Sequence, residues 1–486
     1  MTTENVHFRL KTAFGIGQAA VGLLTTGLSV FLMFYYNQVL GLSGSLAGTA
    51  VGLAFVVDAF TDPLAGSLSD HWRSRLGRRH PFMYASILPL AASFYFLFNP
   101  LVTSEMGLFV WLTVFANLTR TAMSFYHVPH IALGAEMSSD YDVRSTLVGY
   151  RQFFNYVAVL FVFVVGFGFF FVATPEFENG QLDASAYPPF AFVLATLMAA
   201  TIFWSAWGTR EVIPGLPRPP AGQSLGGVAV IARMLRDMVR SLHSRSFRWL
   251  FAGNLTMYVM WGVNSALDLY IFTYFWEFDA DAIFTVFLGY PVGVLLGVLV
   301  SPRALSRYGK RAGLIFGAVG FAFWQLLPVL LRLLGQFPEN GDPLLLPLLV
   351  GIKMIQGASA VQGDVAFGSM VADIVDEHEL ESGQRQEGIF FAASSFAAKA
   401  TSGVGNIIAG FALDLIAWPR GAHIQSAADV PPETIVMLGV VYGPLIAAFG
   451  IVACWCYAQY RLTRERHAEV RAALAGARAS GEGDPR

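Results

Sequence analysis

The chain alternates between long apolar segments and short polar connections, and this pattern predicts its elements. A bilayer core of about 30 Å requires about 20 apolar residues per helix, and only helices satisfy the backbone polar groups of such isolated segments. Twelve segments have this length and apolarity. We therefore predict an all-α polytopic membrane protein with twelve transmembrane helices, at approximately 12–36, 46–69, 81–100, 106–130, 149–174, 187–208, 248–276, 281–301, 312–333, 343–371, 388–416 and 433–458.

The composition favours a membrane protein over a soluble one. Of the 486 residues, 55% are hydrophobic and 13% are charged, whereas an ordinary soluble domain has about 25% charged residues. The formal net charge of -2 gives no reason to expect a nucleic-acid partner. The first apolar segment exceeds the apolar core of a signal peptide, about 7–15 residues, so we interpret it as an uncleaved first span.

Arginine and lysine concentrate in alternate connections, and this predicts the orientation. They occur after the second span, between the sixth and seventh, after the eighth and after the twelfth, whereas LGLSGS, NPLVTSEM and EFDADA contain none. Positively charged short loops stay in the cytoplasm. We therefore expect both termini to be cytoplasmic and the protein to lie in the cell membrane, which is the inner membrane in a Gram-negative source.

A polar stretch divides the spans into two groups of six. Residues 209–247 contain a Pro/Gly-rich segment and then the basic amphipathic sequence IARMLRDMVRSLHSR, typical of a linker and an interfacial helix. The two halves share a basic segment at matching positions, since RSRLGRRHPF follows the second span and SRYGKRAGLIF follows the eighth. Two parallel six-helix repeats are the plan of the major facilitator superfamily. The predicted domains are two six-helix bundles (1–208 and 248–458), the linker and a cytoplasmic tail (459–486).

Charged residues inside the spans indicate function, because each costs about 2.5–3.5 kcal/mol on insertion scales. Asp58 and Asp62 lie one helical turn apart in the second span. Two adjacent carboxylates share a proton or bind a cation, although a structural ion pair is the alternative. Lys399 lies near the middle of the eleventh span, with Ser395 one turn earlier. Pairing with Lys399 is the simplest way to compensate the negative charges of Asp58 and Asp62.

The fourth span carries a second polar stripe. Arg120, Ser124 and His127 follow one another at helical spacing, and Arg151 opens the fifth span. A guanidinium recognises a carboxylate through two hydrogen bonds, so this stripe favours an anionic solute, with a structural role for Arg120 as the alternative. His127 and His130 lack an evident third ligand, and we expect no resident metal. Further polar groups that face either the cavity or each other are Asp268, Lys353 and Asp364.

Motifs of catalysis are missing from the sequence. It contains no phosphate-binding loop, nucleophile elbow or H-E-x-x-H sequence. We therefore expect that the protein is not an enzyme and that it binds no cofactor beyond a coupling ion, Na⁺ or H⁺.

The expected partners are a small-molecule solute, that cation and membrane lipid. We expect no nucleic-acid partner, and we expect the protein to be a monomer. The competing hypothesis, from a different functional class, is a membrane sensor or a membrane enzyme that transports nothing.

Three motifs give the chain a family resemblance. D-x-x-x-D-P-x-x-G followed by R-x-G-R-R-x-P-F occupies 58–66 and 75–82, P-x-x-A-L-x-x-E-M and D-Y-x-x-R occupy 129–137 and 140–144, and M-V-A-D-x-V-D occupies 370–376. The sequence resembles the glycoside–pentoside–hexuronide:cation symporters, the major facilitator branch that includes the melibiose permeases.

The resemblance implies secondary active transport by alternating access, without chemical conversion. In the family, carboxylates of the second span bind the cation with a hydroxyl from the fourth and a link to the lysine of the eleventh. The matching residues are Asp58, Asp62, Ser124 and Lys399, with Thr61 in place of a polar amide. Charge pairs at a cytoplasmic gate are implied for Arg75, Arg78, Arg79, Glu136, Arg144, Asp373, Asp376, Arg385 and Glu387.

The substrate site departs from that of the permeases. Ala19 and Ala20 replace a Lys-Asp pair, His127 replaces a carboxylate and Asp364 a tryptophan, whereas Arg151 is retained. We expect a substrate other than melibiose. An anionic uronide is the favoured candidate, and a neutral oligosaccharide is the second. A sodium-coupled carrier of lysolipid-like amphiphiles is the alternative, and it would need an apolar lateral pocket. The candidate substrate-binding residues are Arg120, His127, Arg151, Asp364, Asp268 and Ser395.

Overall fold

The structure is a computed structural model that describes residues 7–138, 140–216, 227–383, 387–421, 423–460, 462 and 464–479. Throughout these ranges the regular elements are helices. In chain order the α-helices are α1 (Phe8–Thr26), α2 (Gly44–His71), α3 (His80–Leu97), α4 (Glu105–Glu136), α5 (Tyr141–Val165), α6 (Tyr187–Gly208), α7 (Gly227–Ser241), α8 (Arg245–Tyr270), α9 (Ala280–Tyr308), α10 (Lys310–Leu333), α11 (Leu345–Ser382), α12 (Glu387–Leu415), α13 (Pro432–Val440), α14 (Ile446–Ala458) and α15 (Arg464–Ala479).

Several helices are lengthened by π-helical turns. α1 continues through Gly27–Leu32 and Tyr35–Val39, α5 through Gly166–Phe170, and α8 through Ile271–Phe275. The π-helical turn Val441–Leu445 joins α13 to α14. Each of the twelve predicted spans thus falls on one continuous helical segment.

Among the described residues, nine helical segments are long and apolar enough to cross a membrane. The other three predicted spans, α3, α8 and α12, contain more polar residues, including Asp268 in α8 and Lys399 in α12. The prediction of an all-helical, multi-span fold is confirmed, and nine of its twelve spans meet the length and apolarity criterion.

The chain forms two compact units. Unit 1 takes the described residues up to Ile231 together with Ser265–Phe284 and Asn406–Leu438. Unit 2 takes Ala232–Asn264, Thr285–Gly405 and the described residues from Gly439. The predicted bundle, linker and tail boundaries follow the connections in the sequence and stay a prediction. Helix α7 falls within residues 209–247 and helix α15 within residues 459–486.

In unit 1, packing pairs the helices that carry the candidate cation site. α1 lies against α5 and α6, while α4 packs against α2 and α3. Small residues let membrane helices approach closely, and a Cβ on Gly22 of α1 would lie 2.6 Å from the backbone oxygen of Asn155 on α5. The close packing of α2 on α4 brings the polar residues of the second and fourth spans together.

One end of unit 1 is closed by contacts between distant parts of the chain. Asp414, at the end of α12, accepts hydrogen bonds from the backbone N–H groups of Gly44 and Ser45, both at 2.8 Å. These groups begin α2, where the N–H groups have no partner within the helix and the helix dipole favours a negative charge. The Trp418 indole donates to Gln38 at 2.7 Å at the same end.

In unit 2, α10 packs against α11 and α14. Phe247, Ile374 and Tyr457 are almost fully buried in one apolar cluster of this unit. The tail helix α15 lies on α11 and buries Val470 to 1% exposure. Unit 2 thus extends beyond the apolar segments into the polar end of the chain.

Candidate functional site

Asp58 is the centre of the polar cluster between α2 and α4. It is 7% exposed, and the Ser124 hydroxyl donates a hydrogen bond of 2.7 Å to its Oδ1 atom. The Thr61 hydroxyl lies 3.1 Å from Ser124 Oγ and also donates to the backbone oxygen of Asp58 at 3.1 Å. One helical turn separates Asp58 from Thr61. The structure therefore brings three of the five predicted cation-site residues into one hydrogen-bonded group.

Arg120 joins this group rather than standing apart from it. Its Nη1 atom lies 3.5 Å from Asp58 Oδ2, and its guanidinium carbon lies 3.5 Å from the centre of the Phe55 ring. A guanidinium over an aromatic face gains a cation–π attraction. The sequence assigned Arg120 to the solute, with pairing to a helix terminus or snorkelling as the structural alternative. Its contact with Asp58 is instead the kind of ion pair that the sequence left open for the two carboxylates.

Asp62 adds a second carboxylate to the cluster. It is half-buried, one turn after Asp58, and acts electrostatically on Arg120. With both carboxylates ionised, Asp58, Asp62 and Arg120 carry a formal charge of minus one. Oxygen atoms are the ligands that hard cations prefer, and here they come from two carboxylates and the hydroxyls of Thr61 and Ser124. The cluster can therefore accept a monovalent cation or a proton and become neutral.

The helix of the second span lacks one backbone hydrogen bond beside the cluster. Pro63 follows Asp62 inside α2. Because proline has no N–H group, the carbonyl of Ala59 lacks its usual partner in the helix ladder. The backbone thus offers a further oxygen next to Asp58.

The remaining candidates of unit 1 lie around α1, α4 and α5. The half-buried Arg151 donates from Nε to Gln18 Oε1 at 3.2 Å, and His127 is also half-buried. His130 is fully buried; its Nε2 atom lies 2.9 Å from the backbone oxygen of Phe14, and the two rings stack. His130 is therefore held as a core residue. Asp268, in the part of α8 that belongs to unit 1, is half-buried.

The candidates of unit 2 lie on α11 and α12. Lys399 is half-buried on α12, and Ser395, one turn earlier, is exposed. Asp364 is exposed on α11, yet its charge acts on Tyr258 of α8 and Tyr457 of α14. Its carboxylate therefore lies close to neighbouring helices of the unit. Lys353 donates to the Tyr442 hydroxyl at 3.3 Å.

The basic turn after α2 binds the end of α4. Arg78 Nη2 donates to Glu136 Oε1 at 2.8 Å, and Arg79 donates to the same oxygen through Nη2 at 2.6 Å and Nε at 3.1 Å. Arg79 is 4% exposed and also contacts Ser69 at 2.7 Å and Asp70 at 2.5 Å. These contacts fix the loop between the second and third spans to the fourth.

Unit 2 repeats this arrangement. Lys310, in the basic turn after α9, donates to both carboxylate oxygens of Asp373 near the end of α11, at 2.8 and 2.7 Å. His467 of α15 adds Nε2 contacts of 3.1 Å to Asp376 and 3.5 Å to Asp373. The family resemblance implies charge pairs at a cytoplasmic gate for the basic turn after α2 and the acidic motif of α11. In the structure each has partners within its own unit.

The other gate candidates have separate positions. Arg75 is exposed. Arg144 donates to the backbone oxygens of Ser138 and Ala135 at 2.6 and 3.0 Å, so it caps the end of α4. Glu387 is exposed at the start of α12, and Arg385 lies outside the described residues.

Sequence reasoning missed Asp414, Lys310 and His467 as site residues. Asp414 follows an apolar segment, where nothing indicates that its partner is the start of α2. Lys310 lies in a connection whose basic residues indicate the membrane orientation, although its place in the repeated basic turn corresponds to that of Arg78 and Arg79. His467 lies in a tail expected to be solvated.

Among the described residues, no group of three or more His, Cys, Asp or Glu side chains could hold a metal ion. The polar cluster and the multi-span fold together are those of a membrane transporter. The chain matches the family described as MFS/sugar transport protein over residues 13–464. It belongs to this family, and the resemblance drawn from the motifs is confirmed.

Several curated relatives match nearly the whole chain. The isoprimeverose transporter of Lactiplantibacillus pentosus is 24% identical, covering 91% of this chain and 86% of its own. The putative glycoside/cation symporter YagG of Escherichia coli K12 is 23% identical (89% and 87%). The glucuronide carrier protein homolog of the same strain is 24% identical (96% and 95%).

A solved structure supports the fold. The D-xylose-proton symporter shares 13% identity with this chain, with a TM-score of 0.58 and coverage of 93% of this chain and 97% of its own. At this identity the likeness establishes the major facilitator fold alone.

Proposed function

We propose that the protein is a cation-coupled symporter of a sugar or glycoside, in which the cluster around Asp58 binds the coupling ion. The observation that carries this proposal is the arrangement of Ser124 and Arg120 on the two oxygens of Asp58, at 2.7 and 3.5 Å. The names of the relatives, among them a sugar transporter and a glycoside/cation symporter, agree with it.

The coupling follows from charge. A buried net negative charge opposes the closure of a carrier, because desolvated charge without compensation is costly. Na⁺ bound among the oxygens of Asp58, Asp62, Thr61 and Ser124 removes that charge, and so does a proton on either carboxylate. Lys399 is the further cation that the family resemblance links to this site.

The solute is proposed to be a neutral glycoside or a uronide. The contact between Arg120 and Asp58 uses the guanidinium that an anionic solute was expected to bind, which favours a neutral solute. The half-buried Arg151 and the relation to a glucuronide carrier homolog support a uronide as the second candidate. His127, Asp364, Asp268 and Ser395 remain candidates for contacts with its hydroxyl groups.

Membrane orientation is proposed from the sequence. The basic turns after α2 and α9 and the connection before α8 place both termini in the cytoplasm by the positive-inside rule. The two clusters Arg78–Arg79–Glu136 and Lys310–Asp373–His467 are then cytoplasmic and are proposed to stabilise a gate. Asp414 and its helix terminus lie at the opposite side.

Uptake into proteoliposomes tests the proposal. A panel of neutral disaccharides, uronides and lysolipids is offered under separately imposed Na⁺ and pH gradients. We expect Asp58→Asn to abolish gradient-driven accumulation of the sugar but to retain exchange of solute across the membrane. Asp142→Asn, which changes an exposed carboxylate at the start of α5, is the matched control and should accumulate normally. Undiminished accumulation by Asp58→Asn contradicts the proposed coupling site.

A further inference from the structure

An apolar groove lies on the exposed face of unit 2, between α9, α10 and α11. It has a volume of about 1000 Å³. Leu296 and Val300 of α9, Phe316 and Val319 of α10, and Ile355 of α11 line it, and all five are between 44% and 60% exposed. The groove is therefore open along its side, toward the apolar phase of a membrane.

The hydrogen-bond donors of the polar side chains in the groove are satisfied within the protein, whereas Gln362 Oε1 is buried without a partner. Ser359 donates to the backbone oxygen of Ile355 at 2.8 Å. Gln362 donates to the backbone oxygen of Gly297 at 3.0 Å and is 6% exposed. A carbohydrate would meet one open acceptor among these side chains and would leave most of its hydroxyl groups without partners, at a large desolvation cost. The lining is thus chemically suited to a hydrocarbon chain.

The length of the groove matches one leaflet. Along α9 it extends from Leu296 to Tyr308, a rise of about 18 Å at about 1.5 Å per residue. Half of a bilayer core is about 15 Å. One acyl chain from the leaflet at the Tyr308 end therefore fits along the groove.

Two arginines of α9 lie beside the Tyr308 end of the groove. Arg303 and Arg307 lie seven and eleven residues after Leu296, on the same side of α9 as that residue, and thus at the edge of the groove rather than among its lining residues. Both arginines are exposed, and the ring of Tyr308 lies 5.5 Å from the guanidinium carbon of Arg307. Arginine binds phosphate oxygens through paired hydrogen bonds. An apolar groove with two arginines at its edge is complementary to an anionic amphiphile.

We propose that this groove is a binding site for one anionic phospholipid of the membrane, with an acyl chain along α9–α11 and the phosphate on Arg303 and Arg307. Basic pockets between membrane helices are suited to such head groups. The site is formed by unit 2 alone and does not depend on the proposed cation coupling. With the orientation proposed above, the lipid belongs to the cytoplasmic leaflet.

Photolabelling tests the site. The purified full-length protein is placed in phosphatidylcholine vesicles containing phosphatidylglycerol with a photoactivatable acyl chain, and the labelled peptides are mapped by mass spectrometry. We expect label on residues of α9, α10 and α11 that line the groove. The same probe with a phosphatidylcholine head group should label them at least fivefold less.

Two variants address the two parts of the site. Arg303→Gln with Arg307→Gln removes the head-group contacts, and Ala304→Trp fills the groove; each should reduce the label at least fivefold. The matched controls are Arg245→Gln with Arg248→Gln, exposed arginines on α8, and Leu299→Trp, a 69% exposed residue of α9 outside the groove. They should leave the label unchanged.

Other outcomes overturn the proposal. Equal labelling by both head groups shows annular lipid without recognition. Label that survives the arginine variant but not Ala304→Trp shows a chain site without anion selectivity. Because the readout is labelling, these results are independent of whether the protein transports a sugar.

Discussion

Lys310 holds both carboxylate oxygens of Asp373, and this pair corresponds to Arg79 and Glu136 in the other unit. In each unit, a basic residue of the turn after one helix binds an acidic residue near the end of a later helix. The two units therefore share a loop-to-helix contact as well as a sequence pattern. Such a contact holds a turn in place while the helices of its own unit move as a group.

Breaking this contact should loosen unit 2. Lys310→Gln leaves Asp373 with His467 as its remaining basic contact, and Lys310 is partly exposed, so we expect a loss of about 1 kcal/mol in stability. The thermal unfolding temperature in detergent measures it. The swapped variant Lys310→Asp with Asp373→Lys should recover most of the loss. No recovery in the swapped variant would show that the pair is not what stabilises the turn.

The Asp58–Arg120 pair should behave as a coupled unit. Asp58→Asn leaves Arg120 with Asp62 as its carboxylate neighbour, and Arg120→Gln leaves the two carboxylates without the guanidinium. Removing one partner of a buried pair costs about 3–5 kcal/mol. The double variant removes both charges and should lose less than the sum of the two single losses. A double-mutant cycle on thermal unfolding measures this interaction. Additive losses would place Arg120 outside the cluster.

Ser124 should set the affinity for the coupling ion. Its hydroxyl donates to an ionised carboxylate, a bond of about 1.5–3 kcal/mol, and it is also a ligand candidate. We expect Ser124→Ala to weaken cation activation of uptake by about tenfold or more, since 1.4 kcal/mol corresponds to a factor of ten. Cation titration of initial uptake rates measures the change.

Ser93→Ala is the control for this experiment. Ser93 is also buried, on α3, but its hydroxyl donates to the backbone oxygen of Leu90 in its own helix at 3.2 Å. The substitution removes the same atom from the interior and should leave cation activation unchanged. Equal effects of the two variants would contradict a specific role for Ser124.

Much of the fold and part of the site can be read from the sequence. Continuous apolar length fixes each span locally, and helical spacing places Asp58 beside Thr61 without knowledge of any other helix. The partners of charged residues depend on which helices touch. Arg120 faces Asp58 because α4 packs on α2, and no pattern within the fourth span distinguishes this from a solute-facing position.

The same reason explains the assignment of the gate residues. Arg78, Arg79 and Asp373 are recognisable as charged ends of spans, but several pairings among them satisfy the charge balance. In the structure, each of these three residues contacts oppositely charged residues of its own unit. His467 could not be selected from the sequence, because its role depends on the docking of α15 onto α11.

Asp414 should stabilise the closed end of unit 1. It accepts the N–H groups of Gly44 and Ser45, and loss of a helix cap costs about 0.5–2 kcal/mol. Asp414→Ala removes both bonds, whereas Asp414→Asn keeps one acceptor oxygen and removes the charge that the helix dipole favours. We therefore expect the unfolding temperature to decrease in the order wild type, Asp414→Asn, Asp414→Ala. Hydrogen exchange at the start of α2 should become faster in the same order, and unchanged exchange there would show that this end is held by other contacts.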